Sequence, residues 1–139
     1  MDLDLANALI AAALEHRRTN GMKPLTIAVI DAGGHLVALQ RENGTSNLRA
    51  EIAQGKAKGA VAMGLGSRAL HNRAEQQPYF IQAMNALAGG SLVPVPGGVL
   101  VKRDGVLVGA VGITGDTSDN DEACAVAAIE GQGLTAETG

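Results

Sequence analysis

The sequence has very few aromatic side chains and very little cysteine. Of its 139 residues, one is Tyr, one is Phe, one is Cys and none is Trp. The single cysteine, Cys124, excludes a disulfide within the chain. Proteins that bind single-stranded nucleic acids stack the bases on aromatic rings, which are nearly absent here. The net charge of −3 also offers no basic face for phosphates, so we expect no nucleic-acid partner.

Long apolar runs and charged residues are scarce as well. No apolar run reaches the ~18 residues of a membrane span, and the start, MDLDLANALI, carries acids where a signal peptide needs positive charge. We therefore expect a cytoplasmic protein with no membrane contact. No linker-like segment interrupts residues 1–139, which predicts a single domain. With 46% hydrophobic and 18% charged residues, a domain this small cannot bury its apolar surface alone, so we expect a homo-oligomer.

Glycine is abundant, with 19 residues that lie mostly at the ends of apolar runs. The spacing of apolar residues predicts an α+β fold in which helices cover an antiparallel sheet, in the order αββααββα. A short additional strand near Val93 fits the same pattern. The predicted elements are a helix over 3–18, a hairpin over 25–40, a helix over 46–66, two helical pieces over 67–87 broken at Pro78, a hairpin turning at Asp104-Gly105 and a helix from Asp119.

The segment GDTSDNDEAC places four carboxylates within seven positions, from Asp116 to Glu122. Acids in the first turn of a helix are ordinary, and Asp119 as N-cap with Glu122 reaching back would explain two of them. The carboxylates left over, among Asp116, Asp121 and Glu122, could instead face a pocket. There, mutual repulsion would raise one pKa and create an acid/base pair. A calcium loop is excluded because Asp121 stands where that loop requires glycine.

Two further features are compatible either with a ligand pocket or with a purely structural role. Gly97 and Gly98 precede a strand, where their amides could approach an anion, although a tight bend explains them equally well. Lys56 lies on a helix among small residues and could face a ligand carboxylate or the solvent. Gly55 and Gly59 lie on one face of the same helix and predict a close backbone contact.

No metal site or nucleophile is indicated. His16, His35 and His71 do not have the spacing of a helical metal site, and each is read as a surface residue. Cys124 lies among alanines, which indicates a buried, unreactive thiol.

Four motifs, in this order and spacing, resemble the GlcG/HbpS-like family: IAVIDAGGHLVAL, Lys56-Ala57, VPVPGGVLV and DGVLVGAVGITGDTSDNDEACAVAA. The resemblance covers nearly the whole chain and implies a profilin-like α-β-α domain, usually oligomeric, related to a domain fused to cobalamin adenosyltransferases. It also implies that haem or corrinoid could be a cofactor. The residues that match family motif positions are Lys56, Gly97, Gly98, Asp116, Asp121 and Glu122.

These observations favour a small-molecule-binding protein, an enzyme or accessory protein of carboxylic- or aromatic-acid catabolism. In this hypothesis Lys56, Asp121 and Glu122 are catalytic, in an isomerase, tautomerase or lyase reaction, and Gly97, Gly98 and Asp116 bind a carboxylated ligand. The alternatives are a non-catalytic haem- or corrinoid-binding module and a purely structural oligomer subunit. Haem is not favoured, because no axial ligand has a supporting motif and two aromatics offer little stacking surface. We expect it to bind weakly or without specificity.

Overall fold

The computed structural model describes residues 1–139 and contains five helices and five strands. In chain order these elements are α1 Leu3–Thr19, β1 Thr26–Asp31, β2 Leu36–Arg41, α2 Arg49–Met63, α3 Ser67–Gln76, α4 Pro78–Leu87, β3 Gly98–Arg103, β4 Val106–Thr114, α5 Ser118–Glu130 and β5 Thr135–Glu137.

The strands form one antiparallel sheet with the order β2-β1-β4-β3-β5. Its two faces are covered by different helices, because the strands are apolar on both sides. On one face, α1 and α5 pack on a core that includes Ile27, Val29 and Ile113. On the other face, Ala57 and Ala60 of α2 pack on a smaller cluster of strand residues. The predicted α+β fold, an antiparallel sheet between helical layers, is therefore confirmed.

The hairpin between β3 and β4 turns at the predicted dipeptide. Asp104 and Gly105 both have positive φ, at 51° and 79°. Positive φ at both central residues is the requirement of a type I′ turn, whose twist matches that of the flanking strands. The predicted break between two helices is also present, since Pro78 is the first residue of α4.

Three local expectations are wrong. The short additional strand is β5, which pairs with β3 at residues 135–137, whereas residues near Val93 form no strand. Helix α2 begins at Arg49, not at Ser46. The N-cap of α5 is Thr117, whose side chain accepts a hydrogen bond from the Asn120 amide, because the helix begins one residue before Asp119.

Small residues bring α2 very close to its neighbours. A Cβ on Gly112 of β4 would lie 2.0 Å from the Ala53 carbonyl oxygen, and one on Gly55 would lie 2.5 Å from a Val93 methyl. The Val93 amide also donates to the Gly55 carbonyl, 3.2 Å away. The close contact predicted from Gly55 and Gly59 is therefore formed, with the segment that precedes β3.

No helix combines the length and the apolar character that crossing a bilayer requires.

Candidate functional site

Lys56 and Asp121 form an ion pair in the interior of the protein. The Lys56 Nζ donates to Asp121 Oδ2 at 3.2 Å and to the carbonyl oxygen of Ile113 at 2.8 Å. The other carboxylate oxygen of Asp121 accepts from the Asp116 amide at 3.0 Å. Only 3% and 2% of the two side chains are exposed. Since α2 and α5 lie on opposite faces of the sheet, this pair links the two helical layers.

Two glycines make room for this link. Gly97 has a φ of 121°, and a Cβ there would lie 2.9 Å from the Lys56 Nζ and 2.5 Å from the Ile113 carbonyl oxygen. A Cβ on Gly98 would lie 2.2 Å from the backbone oxygen of Lys56. The Gly98 amide donates to the buried hydroxyl of Ser67 at 2.7 Å. The paired glycines therefore admit the backbone and side chain of α2, and the Gly98 amide already has a partner.

Burial is the main electrostatic influence on the pair. It raises the pKa of Asp121 and lowers the pKa of Lys56, because both charged forms lose their hydration. The charge of each partner opposes the shift of the other, and the positive charge of Arg49 lowers the pKa of Lys56 further. The pair is therefore a charged link whose two members depend on each other.

Asp116 holds a neighbouring chain segment. Its carboxylate accepts hydrogen bonds from the Lys23 amide at 2.8 Å, the Thr117 amide at 2.7 Å and the Asn120 side chain at 2.9 Å. These donors, the Lys23 amide first, lower the pKa of Asp116. A carboxylate with this many donors stays ionised and is poorly suited to accept a proton.

Glu122 is bound by an arginine that the sequence analysis did not single out. Its Oε1 accepts from Arg68 Nε at 2.8 Å, and Arg68 also pairs with the exposed Asp119. The second oxygen of Glu122 is buried and has no hydrogen-bond partner. The Glu122–Arg68 contact replaces the expected return of the side chain to the helix N-terminus.

The structure thus brings Lys56, Gly97, Gly98 and Asp121 together, with Asp116 attached through its amide, and places Glu122 in a separate contact. None of these residues lines any of the four principal cavities. Their proposed catalytic and ligand-binding roles therefore stay predictions.

Two of the cavities, both beside α2, differ in the ligand chemistry that they offer. The first, of about 400 Å³, lies between α2 and residues 89–93 and contains no His, Met, Cys or Tyr. A second, of about 270 Å³, lies between α2, α3 and α4 and is mainly apolar. The side chain of Met63 lines it, together with Arg73, whose guanidinium lies 4.3 Å from the centre of the Phe80 ring. Elsewhere, no three His, Cys, Asp or Glu side chains converge to hold a metal ion.

This arrangement of layers is that of a known group of α+β domains. The crystal structure of a PduOC–heme complex superposes with a TM-score of 0.85, at 27% identity, over 96% of both chains. A family model described as "Haem degrading protein HbpS-like" matches residues 1–130. Protein GlcG of Escherichia coli is 37% identical over 114 residues, which are 79% of this chain and 78% of GlcG. The chain belongs to the HbpS-like family.

A longer relative contains a domain of this kind. The corrinoid adenosyltransferase PduO of Salmonella typhimurium is 30% identical over 121 residues, which are 87% of this chain and 35% of PduO. This chain therefore spans about a third of PduO.

Proposed function

We propose that this chain is a non-catalytic tetrapyrrole-binding protein, with haem as the first ligand to test. The observation that carries this proposal is the likeness to the PduOC–heme complex, which extends over 96% of both chains. The family description also refers to haem. The binding hypothesis, which the sequence alone favoured less than catalysis, is therefore placed first.

The geometry of the predicted catalytic residues supports binding over acid/base catalysis. A general acid or base must lie within hydrogen-bond reach of the substrate proton that it transfers. The Asp121 carboxylate is buried and bonded to Lys56 and to the Asp116 amide, and Glu122 is bonded to Arg68. No described cavity adjoins either acid.

The cleft between α2, α3 and α4 has the chemistry to hold one edge of a haem. Haem iron accepts His, Met, Cys or Tyr as an axial ligand, and Met63 is the one such side chain that lines any of the four cavities. Phe80 and Leu70 supply apolar surface, and Arg73 can pair with a propionate. The volume of about 270 Å³ lies just below the ~300 Å³ of typical ligand pockets, so most of the ring would remain outside the cleft.

Haem titration with matched methionine variants tests this proposal. We expect a saturable Soret shift at one haem per subunit for the wild-type protein. Met63→Leu should lose the spectral signature of thioether ligation and bind at least about tenfold more weakly. Met84→Leu is the control, because Met84 packs beside the cleft without lining it.

Each other outcome would contradict part of the proposal. Absence of saturable binding would contradict the function itself. An unchanged spectrum in Met63→Leu would contradict the assignment of the cleft. The haem iron would then be bound by another side chain, such as His16 or His71. A Soret band that decays in air with ascorbate, where free haem under the same conditions does not, would show degradation rather than simple binding.

A further inference from the structure

Another cavity has no large hydrophobic side chain in its wall and contains two cations. It has a volume of about 230 Å³ and lies where the chain entering β1, the loop before α2 and the end of β4 meet. Lys23, Thr45, Ser46 and Arg49 contribute side chains to it, and none of its lining residues is acidic. Gly115 forms part of its wall.

The two cations have no ionic partner. Neither Lys23 nor Arg49 takes part in any of the salt bridges of the protein. Arg49 is half-buried, and its Nη1 donates to the buried hydroxyl of Thr114 at 2.7 Å. This bond fixes the guanidinium and uses one of its five N–H donors, which leaves donors for a planar anion.

The carboxylates nearest to the cavity are already engaged. Asp116 follows Gly115 directly, and its oxygens accept from the Lys23 amide and from two donors at the start of α5. Glu42, before the loop, accepts from the Leu25 amide and pairs with Arg17 at 3.3 Å. Neither acid forms a salt bridge with Lys23 or Arg49, although Asp116 lies close enough for the charge of Lys23 to contribute to the lowering of its pKa.

We infer that this cavity binds the carboxylate group of a small organic acid. Arg49 offers the paired N–H groups that match two carboxylate oxygens, and Lys23 adds a second positive charge. The Ser46 hydroxyl supplies a further donor. A volume below the ~300 Å³ of typical ligand pockets restricts the ligand to a few heavy atoms beyond its carboxylate. The inference does not depend on haem binding, because the cavity shares no residue with the cleft at Met63.

Calorimetric titration with oxalate tests the inference, and a titration with chloride at equal ionic strength is its control. We expect wild-type protein to bind oxalate with a Kd of about 1 mM or tighter. Lys23→Gln should weaken binding at least about tenfold without affecting the fold, because the Lys23 side chain makes no hydrogen bond or salt bridge. Arg49→Gln should abolish binding. Arg103→Gln is the matched control, since Arg103 is an exposed arginine on the distant hairpin.

A competition experiment with haem shows which kind of molecule carries the carboxylate. Haem that displaces oxalate would support the site and identify a porphyrin propionate as its occupant. Oxalate binding that haem leaves unchanged would support a free organic acid. Equal affinity in Lys23→Gln, Arg49→Gln and Arg103→Gln would overturn the inference, and so would a wild-type Kd weaker than about 1 mM.

Discussion

At the scale of single residues, Lys56 and Asp121 have a structural explanation that their chemistry alone did not suggest. A lysine among small residues and an aspartate in an acidic segment both resemble catalytic residues. In the folded protein they meet beside the end of β4 and bond to each other, to the Ile113 carbonyl and to the Asp116 amide. The sequence could not predict this pairing, because the two residues are 65 positions apart and lie on elements of different layers.

The ion pair should behave as a strongly coupled unit in unfolding experiments. Lys56→Met leaves a buried carboxylate without its cation, and Asp121→Asn leaves a buried ammonium without its anion. Each single change should cost about 3–5 kcal/mol of unfolding free energy, because an unpaired charge in the interior is unfavourable. The double variant should be destabilised by less than the sum of the two, with a coupling above about 1 kcal/mol in urea unfolding.

The surface pair of Lys102 and Glu137 provides the matched control. Its side chains are 29% and 36% exposed, so the Lys102→Met and Glu137→Gln changes should be additive within about 0.5 kcal/mol. Additive behaviour of the buried pair as well would mean that Lys56 and Asp121 do not stabilise each other.

At the scale of elements, local signals predicted the hairpins and the helices, whereas long-range packing decided the exceptions. The turn at Asp104-Gly105 depends on two adjacent residues that tolerate positive φ, and such a signal is visible in sequence. Strand β5 has three residues and forms because the edge of β3 is free to pair. Three residues cannot show an alternating pattern, so β5 had no local signal. The polar cavity likewise combines three segments far apart in sequence.

Gly98 and Gly55 both lie at close contacts of α2, but their replacement by alanine should have very different effects on stability. At Gly98 a Cβ would lie 2.2 Å from the carbonyl oxygen of Lys56, a backbone atom that cannot move without shifting α2. At Gly55 the Cβ would meet a methyl group of Val93 at 2.5 Å and the Ser91 carbonyl oxygen only at 3.3 Å, and alanine also favours the helix by about 1 kcal/mol. We expect Gly98→Ala to cost roughly 1–3 kcal/mol and Gly55→Ala to cost clearly less.

Thermal and urea unfolding of the two variants measures this difference. Gly55→Leu, which adds a larger side chain at the same point, should be destabilised more than Gly55→Ala, because it overpacks the contact with Val93. If Gly98→Ala unfolds like the wild-type protein, the sheet tolerates a side chain beside α2 and the packing described here is incorrect.

At the scale of the whole molecule, the two proposed binding sites lie apart from the residues that hold the layers together. The buried ion pair and the glycines hold the layers together, whereas the apolar cleft at Met63 and the polar cavity at Arg49 lie at opposite ends of α2. The cleft also includes the buried core residues Leu70 and Ile81, but Lys23 is exposed and Met63 is only partly buried. Variants at Lys23 or Met63 can therefore separate ligand binding from folding, which variants at Lys56 or Asp121 cannot.

The protein should assemble into a homo-oligomer, because large apolar side chains remain on its surface. Strand β2 is an edge strand with one neighbour, and Leu36 at its start is 46% exposed. Leu48 before α2 and Val106 at the start of β4 are 63% and 68% exposed. Side chains of this kind on a small domain favour contact with another copy.

Light scattering on a sizing column at micromolar concentration should give a mass of at least twice 14.1 kDa, and Leu36→Lys should reduce that mass if β2 forms the contact. A single 14.1 kDa species for the wild-type protein would show that these side chains remain exposed to solvent.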